Sequence, residues 1–214
     1  VYAGGKWNDE CYKSFAADKD NIIPVTDDDY FSDDIVNRFI DFIKYVYGEK
    51  TLEDNLSYIV EAIGYTGQSR SALREYFNTE FYADHCSMYS VMGSGKRPIY
   101  WMFDSGKKNG FKCLIYMHRY QQDTIARVRT DYVHEQQARY RTAIEETENR
   151  IGQASGSDKV KLSKKLDSLK AQDDEIHGYE EKIHHLADQM ISIDLDDGVK
   201  GNYELFKDVL AKLK

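Results

Sequence analysis

The chain has 214 residues, enough for one domain or two small ones. With 31% charged and 41% hydrophobic residues it has the make-up of a folded globule with a wetted surface, and its longest unbroken apolar runs, Ile99–Phe103 and Cys113–Met117, fall far short of the ~20 residues a membrane-spanning helix needs. The net charge of −8 is unevenly spread: residues 1–50 carry six basic and eleven acidic groups, residues 93–141 ten basic and four acidic, so a nucleic-acid surface is expected in the middle stretch if there is one.

The chain opens at Val1 without a basic–apolar leader, which reads as a piece of a longer protein or one processed at its start. Three scattered cysteines, Cys11, Cys86 and Cys113, make no disulfide framework and fit a reducing, cytoplasmic setting. Two prolines leave room for long helices, and seventeen tyrosines suit exposed contact surfaces as well as core edges.

Residues 1–31 read as an irregular lead-in or linker, acidic towards Asp27–Asp29, with one short strand at Ile22–Val25. Residues 32–122 read as a helical cluster with a β-hairpin. Ser32 is placed to N-cap a first helix whose apolar face is Ile35, Phe39, Phe42 and Val46, ended by Gly48. Thr51 and Asp54 approximate a capping box for a second, with Leu52, Leu56, Ile59 and Ile63 on one face. A third starts near Ser69 and turns Leu73, Tyr76, Phe77 and Phe81 inward. The period then breaks. Ile99–Phe103 and Phe111–Tyr116 are rich in strand formers, and the turn-rich stretch 104–110 between them predicts a β-hairpin.

Residues 123–192 predict a long antiparallel, coiled-coil-like helical hairpin. Val133, Gln137, Tyr140, Ile144, Thr147 and Ile151 recur at heptad spacing, as do Leu162, Leu166, Leu169, Ile176, Ile183 and Met190 beyond a Gly/Ser turn. Asp173 and Glu180 interrupt the second seam, whose middle is weakly zipped or faces another element. Residues 193–214 close the chain, with a short helix expected over Asn202–Leu213. The fold class is therefore mainly α.

Chemistry-bearing motifs are scarce. Neither GxxxxGK[ST] nor GxGxxG occurs, and Gly93–Arg97 precedes a strand where a phosphate cradle should open a helix. His85, Cys86, Cys113 and His118 lack the paired spacing of a zinc knuckle, and Asp27–Asp29 and Asp194–Asp197 lack that of a calcium loop. No GxSxG is present. Catalytic and metal-binding residues are thus expected to number none. The basic stretch is the best functional signal: Lys96, Arg97, Lys107, Lys108, Lys112, Arg119, Arg127 and Arg129, interleaved with Tyr100, Trp101, Tyr116 and Tyr120, are the candidate DNA contacts. Cations at a hairpin tip can reach phosphates, and a two-stranded ribbon can enter a major groove. The plainer reading is a solvated face partly paired with acidic residues. Arg127 and Arg129, two apart on a helix, point in different directions, so one of them at most joins a given contact.

The run Gly95–Tyr120 (GKRPIYWMFDSGKKNGFKCLIYMHRY), its continuation Asp123–Val133 and the tail Ile193–Tyr203 resemble the C-terminal region of the PglX (BrxX) adenine-specific DNA methyltransferases of bacterial BREX phage-defence systems. The resemblance runs from about the first helix to the end. It implies a parent enzyme in the bacterial cytoplasm that methylates adenine N6 with S-adenosylmethionine on a flipped base. No NPPY, DPPY or FxGxG occurs in the chain, so the resemblance places the catalytic and cofactor residues upstream and requires no cofactor here. The implied role is a non-catalytic, target-recognition-associated helical module that helps clamp double-stranded DNA. The alternative is a scaffold or docking module for another BREX protein or a phage inhibitor. No membrane partner is expected.

Overall fold

The computed structural model describes residues 15–92 and 95–213; Cys11 and the Gly93–Ser94 part of the glycine-bearing loop lie outside the described residues. In chain order the elements are β1 (Ile22–Pro24), α1 (Ile35–Tyr47), α2 (Leu52–Ala62), α3 (Ser69–Thr79), α4 (Phe81–Met88), β2 (Ser90–Val91), β3 (Gly95–Lys96), β4 (Tyr100–Asp104), β5 (Lys112–Tyr116), α5 (Thr124–Arg127), α6 (His134–Gln153), α7 (Gly156–Ala187) and α8 (Gly198–Glu204). Helix dominates.

β4 and β5 form the antiparallel hairpin, in register from Tyr100 opposite Tyr116 to Asp104 opposite Lys112. β1 pairs antiparallel with the other side of β5, Ile22 opposite Ile115, giving the order β1-β5-β4. Trp101, Phe103, Cys113 and Ile115 face one way, and Met102 and Leu114 the other; all six are buried. This explains why the strands read as unbroken apolar runs rather than alternating ones: helices cover both faces. The α1–α4 cluster packs on the Met102–Leu114 face through Val36, Ile43, Leu56, Leu73 and Phe77. The opposite face carries Val128, Tyr132, Tyr140, Leu169, Ile176 and Tyr179, with Phe206 and Val209 from the C-terminal segment.

The ribbon expected to enter a groove is therefore the middle layer of the fold. Its backbone has no free side: β1 takes one edge, and residues 209–211 take the other. Asp104 N–H donates to the Val209 carbonyl at 3.0 Å and Ala211 N–H to that of Met102 at 2.8 Å, with Leu210 bridging to Phe103. The closing helix expected over 202–213 is correspondingly shorter and earlier, because its second half is drawn out to satisfy the β4 edge.

Other boundaries shift for local reasons. Asp34, not Ser32, caps α1: its buried carboxylate accepts the Asn37 amide at 2.8 Å. The Thr51 hydroxyl turns back to the Tyr47 carbonyl at 2.8 Å, so no capping box forms. The third predicted helix splits at Glu80 into α3 and α4. The first helix of the long hairpin starts at Thr124 and passes through a π turn, Val128–Val133, before α6. The contacts Arg129–Glu180 (2.6 Å) and Glu148–Lys170 (2.7 Å) set α6 and α7 antiparallel. Near the sheet the seam is buried at Tyr140, Ile176, Tyr179 and Ile183, but Ile144, Ile151, Leu162 and Leu166 are only half-buried. The outer turns form an arm reaching ~20 Å beyond Tyr140 and Leu169, from about thirteen residues at 1.5 Å each.

Candidate nucleic-acid interface

The eight candidate cations separate into three sets. Lys112, Arg127 and Arg129 are engaged within the fold. Lys112 Nζ donates to the Asn78 carbonyl at 2.9 Å. Arg127 is held by Asp123 at 3.1 Å and Gln121 at 3.2 Å. Arg129 donates to Glu180 at 2.6 Å, 51 residues away. Burial works against ionisation of Glu180, but Arg129 and His134 outweigh it and hold the carboxyl below its ordinary range. Glu180, which broke the predicted seam, is thus the ion-pair partner of a predicted DNA contact.

Lys107 and Lys108 lie exposed in the β4–β5 loop, which is fixed rather than free to probe a groove. Glu175 of α7 accepts the Ser105 hydroxyl (2.8 Å) and the amides of Lys108 (2.8 Å) and Gly110 (3.0 Å). Burial raises this carboxyl, yet the two amides, the hydroxyl and the charge of Lys112 win, and it titrates below a free glutamate. The loop sits so close that a Cβ at Gly110 would lie 2.7 Å from the Gln172 carbonyl oxygen, so only glycine fits.

Lys96, Arg97 and Arg119 gather at the other end of the sheet, away from Lys107 and Lys108 by at least the length of β4, ~13 Å. There the β2–β3 hairpin joins α4, with Arg97 N–H donating to the Tyr89 carbonyl at 2.9 Å. A row of rings crosses the same end: Tyr89 to His85 at 4.8 Å, His85 to Tyr100 at 5.5 Å, Tyr100 to Tyr116 at 5.3 Å and Tyr116 to His118 at 5.1 Å between centroids. Tyr89 and His118 are exposed at its two ends. Burial lowers the His85 imidazole, and its Nε2 accepts the Tyr100 amide at 3.2 Å, which places the proton on Nδ1. Arg119 is oriented by a bond from Nη2 to the Asp18 carbonyl at 2.8 Å. That stretch is anchored by Asn21, whose side-chain amide donates to the Tyr116 carbonyl (2.9 Å) and accepts its N–H (3.1 Å). Lys96 and Arg97 form no ion pair among the described residues.

Sequence reading missed Lys200 and His118 as members of this end. Lys200 approaches Gly95 from α8 and lies a hundred residues along the chain, so no local signal could have found it. It also passed over Lys159, Lys161 and Lys164, exposed on the arm, where a run of alternating lysines was the available sign. Cys113 is fully buried in β5, its thiol pushed well up by burial, and Cys86 is buried under Tyr82. Among the described residues no three His, Cys, Asp or Glu side chains are arranged to hold a metal, and no helix is long and apolar enough to cross a membrane. What the sheet end can do is contact phosphate and stack flat groups. Among the described residues there, no nucleophile is paired with a base.

The sheet end is thus a cationic, aromatic-rimmed surface on a mainly helical scaffold, and the chain matches the C-terminal region of BrxX/PglX adenine-specific methyltransferases. It is 42% identical over 210 residues to the adenine-specific methyltransferase BrxX of Escherichia coli O9:H4 (strain HS), covering 95% of this chain and 17% of that protein. It is 40% identical over 213 residues to the adenine-specific methyltransferase PglX of Lacticaseibacillus casei (strain Zhang), again 95% and 17%. The chain thus spans about a sixth of the length of the curated relatives it matches. No family model matches it.

Proposed function

We propose that this chain is a non-catalytic, DNA-holding module of a BREX-type adenine-N6 DNA methyltransferase, with methyl transfer and S-adenosylmethionine binding carried out by upstream parts of that enzyme. The observation that supports this reading best is the grouping of Lys96, Arg97 and Arg119 beside the exposed rings Tyr89 and His118. Guanidinium and ammonium groups there bind phosphates without reading sequence. Lys107 and Lys108 form a lesser, separate contact, while Lys112, Arg127 and Arg129 serve the fold.

Fluorescence anisotropy of a labelled duplex across a salt series tests this. The expectation is salt-dependent binding that the Lys96→Ala/Arg97→Ala variant weakens strongly, with the slope of log K against log salt shallower by about 2. Lys107→Ala/Lys108→Ala should weaken it less. Absence of binding at low salt, or equal losses from the two variants, would reject the assignment. A second reading, docking of another defence-system protein, draws on the exposed Tyr58 and Met88. Such binding would persist at high salt and survive both variants.

A further inference from the structure

The β2–β3 hairpin has two residues per strand and no core of its own, yet its base is firmly held. Ser90 pairs with Lys96 and Val91 with Gly95. The Ser90 hydroxyl donates to the Ser87 carbonyl at 2.9 Å, and Arg97 N–H to the Tyr89 carbonyl at 2.9 Å. Met92, directly after the first strand, is fully exposed, as largely is Met88 at the end of α4. Cations lie beside the hairpin's second strand. Lys96 is on the second strand and Arg97 directly after it, and Lys200 comes from α8: a Cβ at Gly95 would lie 3.2 Å from its Nζ. Glu204 on the same helix is engaged by Lys207 at 3.1 Å.

An unbranched apolar side chain held in water on a hairpin that carries Lys96 and Arg97 and is approached by Lys200 suits one occupant better than others. Proteins that kink duplex DNA place cations on the flanking phosphates and push Met, Leu, Ile or Phe between base pairs. An apolar pocket on a protein would have to desolvate the same three cations to reach Met92. We infer that Met92 is a wedge that inserts at a base step of duplex DNA gripped by Lys96, Arg97 and Lys200. The inference rests on the DNA-holding reading above and adds to it a local unstacking of the duplex.

The test uses the 214-residue chain and a duplex carrying 2-aminopurine at successive positions, with anisotropy recorded in parallel. The expected result is a several-fold rise in 2-aminopurine fluorescence at one or two adjacent positions on binding. Met92→Ala should abolish that rise while keeping the salt slope, and Met92→Leu should restore it. Salt-dependent binding with no rise, or a rise unchanged in Met92→Ala, would overturn the wedge and leave the DNA-holding reading intact. No salt-dependent binding would remove both. Exposed Met92 tolerates alanine without loss of packing, and unchanged circular dichroism would confirm that the variant is folded.

Discussion

Arg74 joins three segments of the helical cluster. From α3 it donates to the Asp34 carboxylate, to the Thr26 hydroxyl at 3.0 Å and to the carbonyls of Thr26 (3.2 Å) and Asp28 (3.0 Å). Asp34 is fully buried and also caps α1, so this one guanidinium keeps a carboxylate without solvent satisfied. Arg74→Met should cost about 3–5 kcal/mol in urea unfolding, because the charge on Asp34 is left behind. A second residue-scale prediction concerns Asp18. Burial, then a hydrogen bond to Asp20, pushes its carboxyl up to about 6 from 3.8. Burial of Asp20 also opposes ionisation, but bonds from Asp18, the Tyr132 hydroxyl (2.8 Å) and the Ile22 amide (3.1 Å) keep that partner low. The folded chain thus keeps a proton at Asp18 that the unfolded chain has released. Its contribution to stability is full below about pH 4 and is lost as pH rises towards 6. Asp18→Asn imitates the protonated acid, so wild type should lose stability relative to this variant across that window. A difference that stays flat from pH 4 to 7 would contradict the assignment.

Among the elements, the β4–β5 loop depends most on a single distant group. Glu175→Ala removes three hydrogen bonds to the loop and should destabilise the chain by about 2–3 kcal/mol. The amides of Lys108 and Gly110 should show the largest gain in hydrogen exchange; uniform exchange across the sheet would argue against a local clamp. This loop also marks how far the sequence could be read. Its turn residues and the apolar runs beside it predict a hairpin, since short-range propensity determines that much. Heptad spacing likewise predicts α6 and α7. What the pattern could not supply was partners. The pairing of β1 with β5 depends on residues far apart, and the lysines and arginines of the basic stretch look alike until Glu180, Asp123 or Asn78 is found beside some of them. The π turn and the Asp34 cap were hidden for the same reason: tertiary packing, not local preference, decides both.

At the scale of the molecule, a three-stranded sheet lies between a helical cluster and a helical hairpin, and the apolar residues of the hairpin's outer turns, Ile151, Leu162 and Leu166, join neither buried cluster. Replacing residues 149–160 with a short glycine–serine turn should therefore leave the melting temperature within a few degrees, measured by circular dichroism. A collapse of the transition would mean that the arm supports the body. The sheet itself is assembled from remote parts. Asn21 bonds to Tyr116, 95 residues on, and the open side of β4 is covered by residues 209–211. A chain emerging from the ribosome thus meets its last sheet partner only near residue 211, and until then β4 offers an unprotected template to any neighbouring strand. The edge stays open until residues 209–211 fold back over it, so closing this sheet is a late, long-range step of the topology.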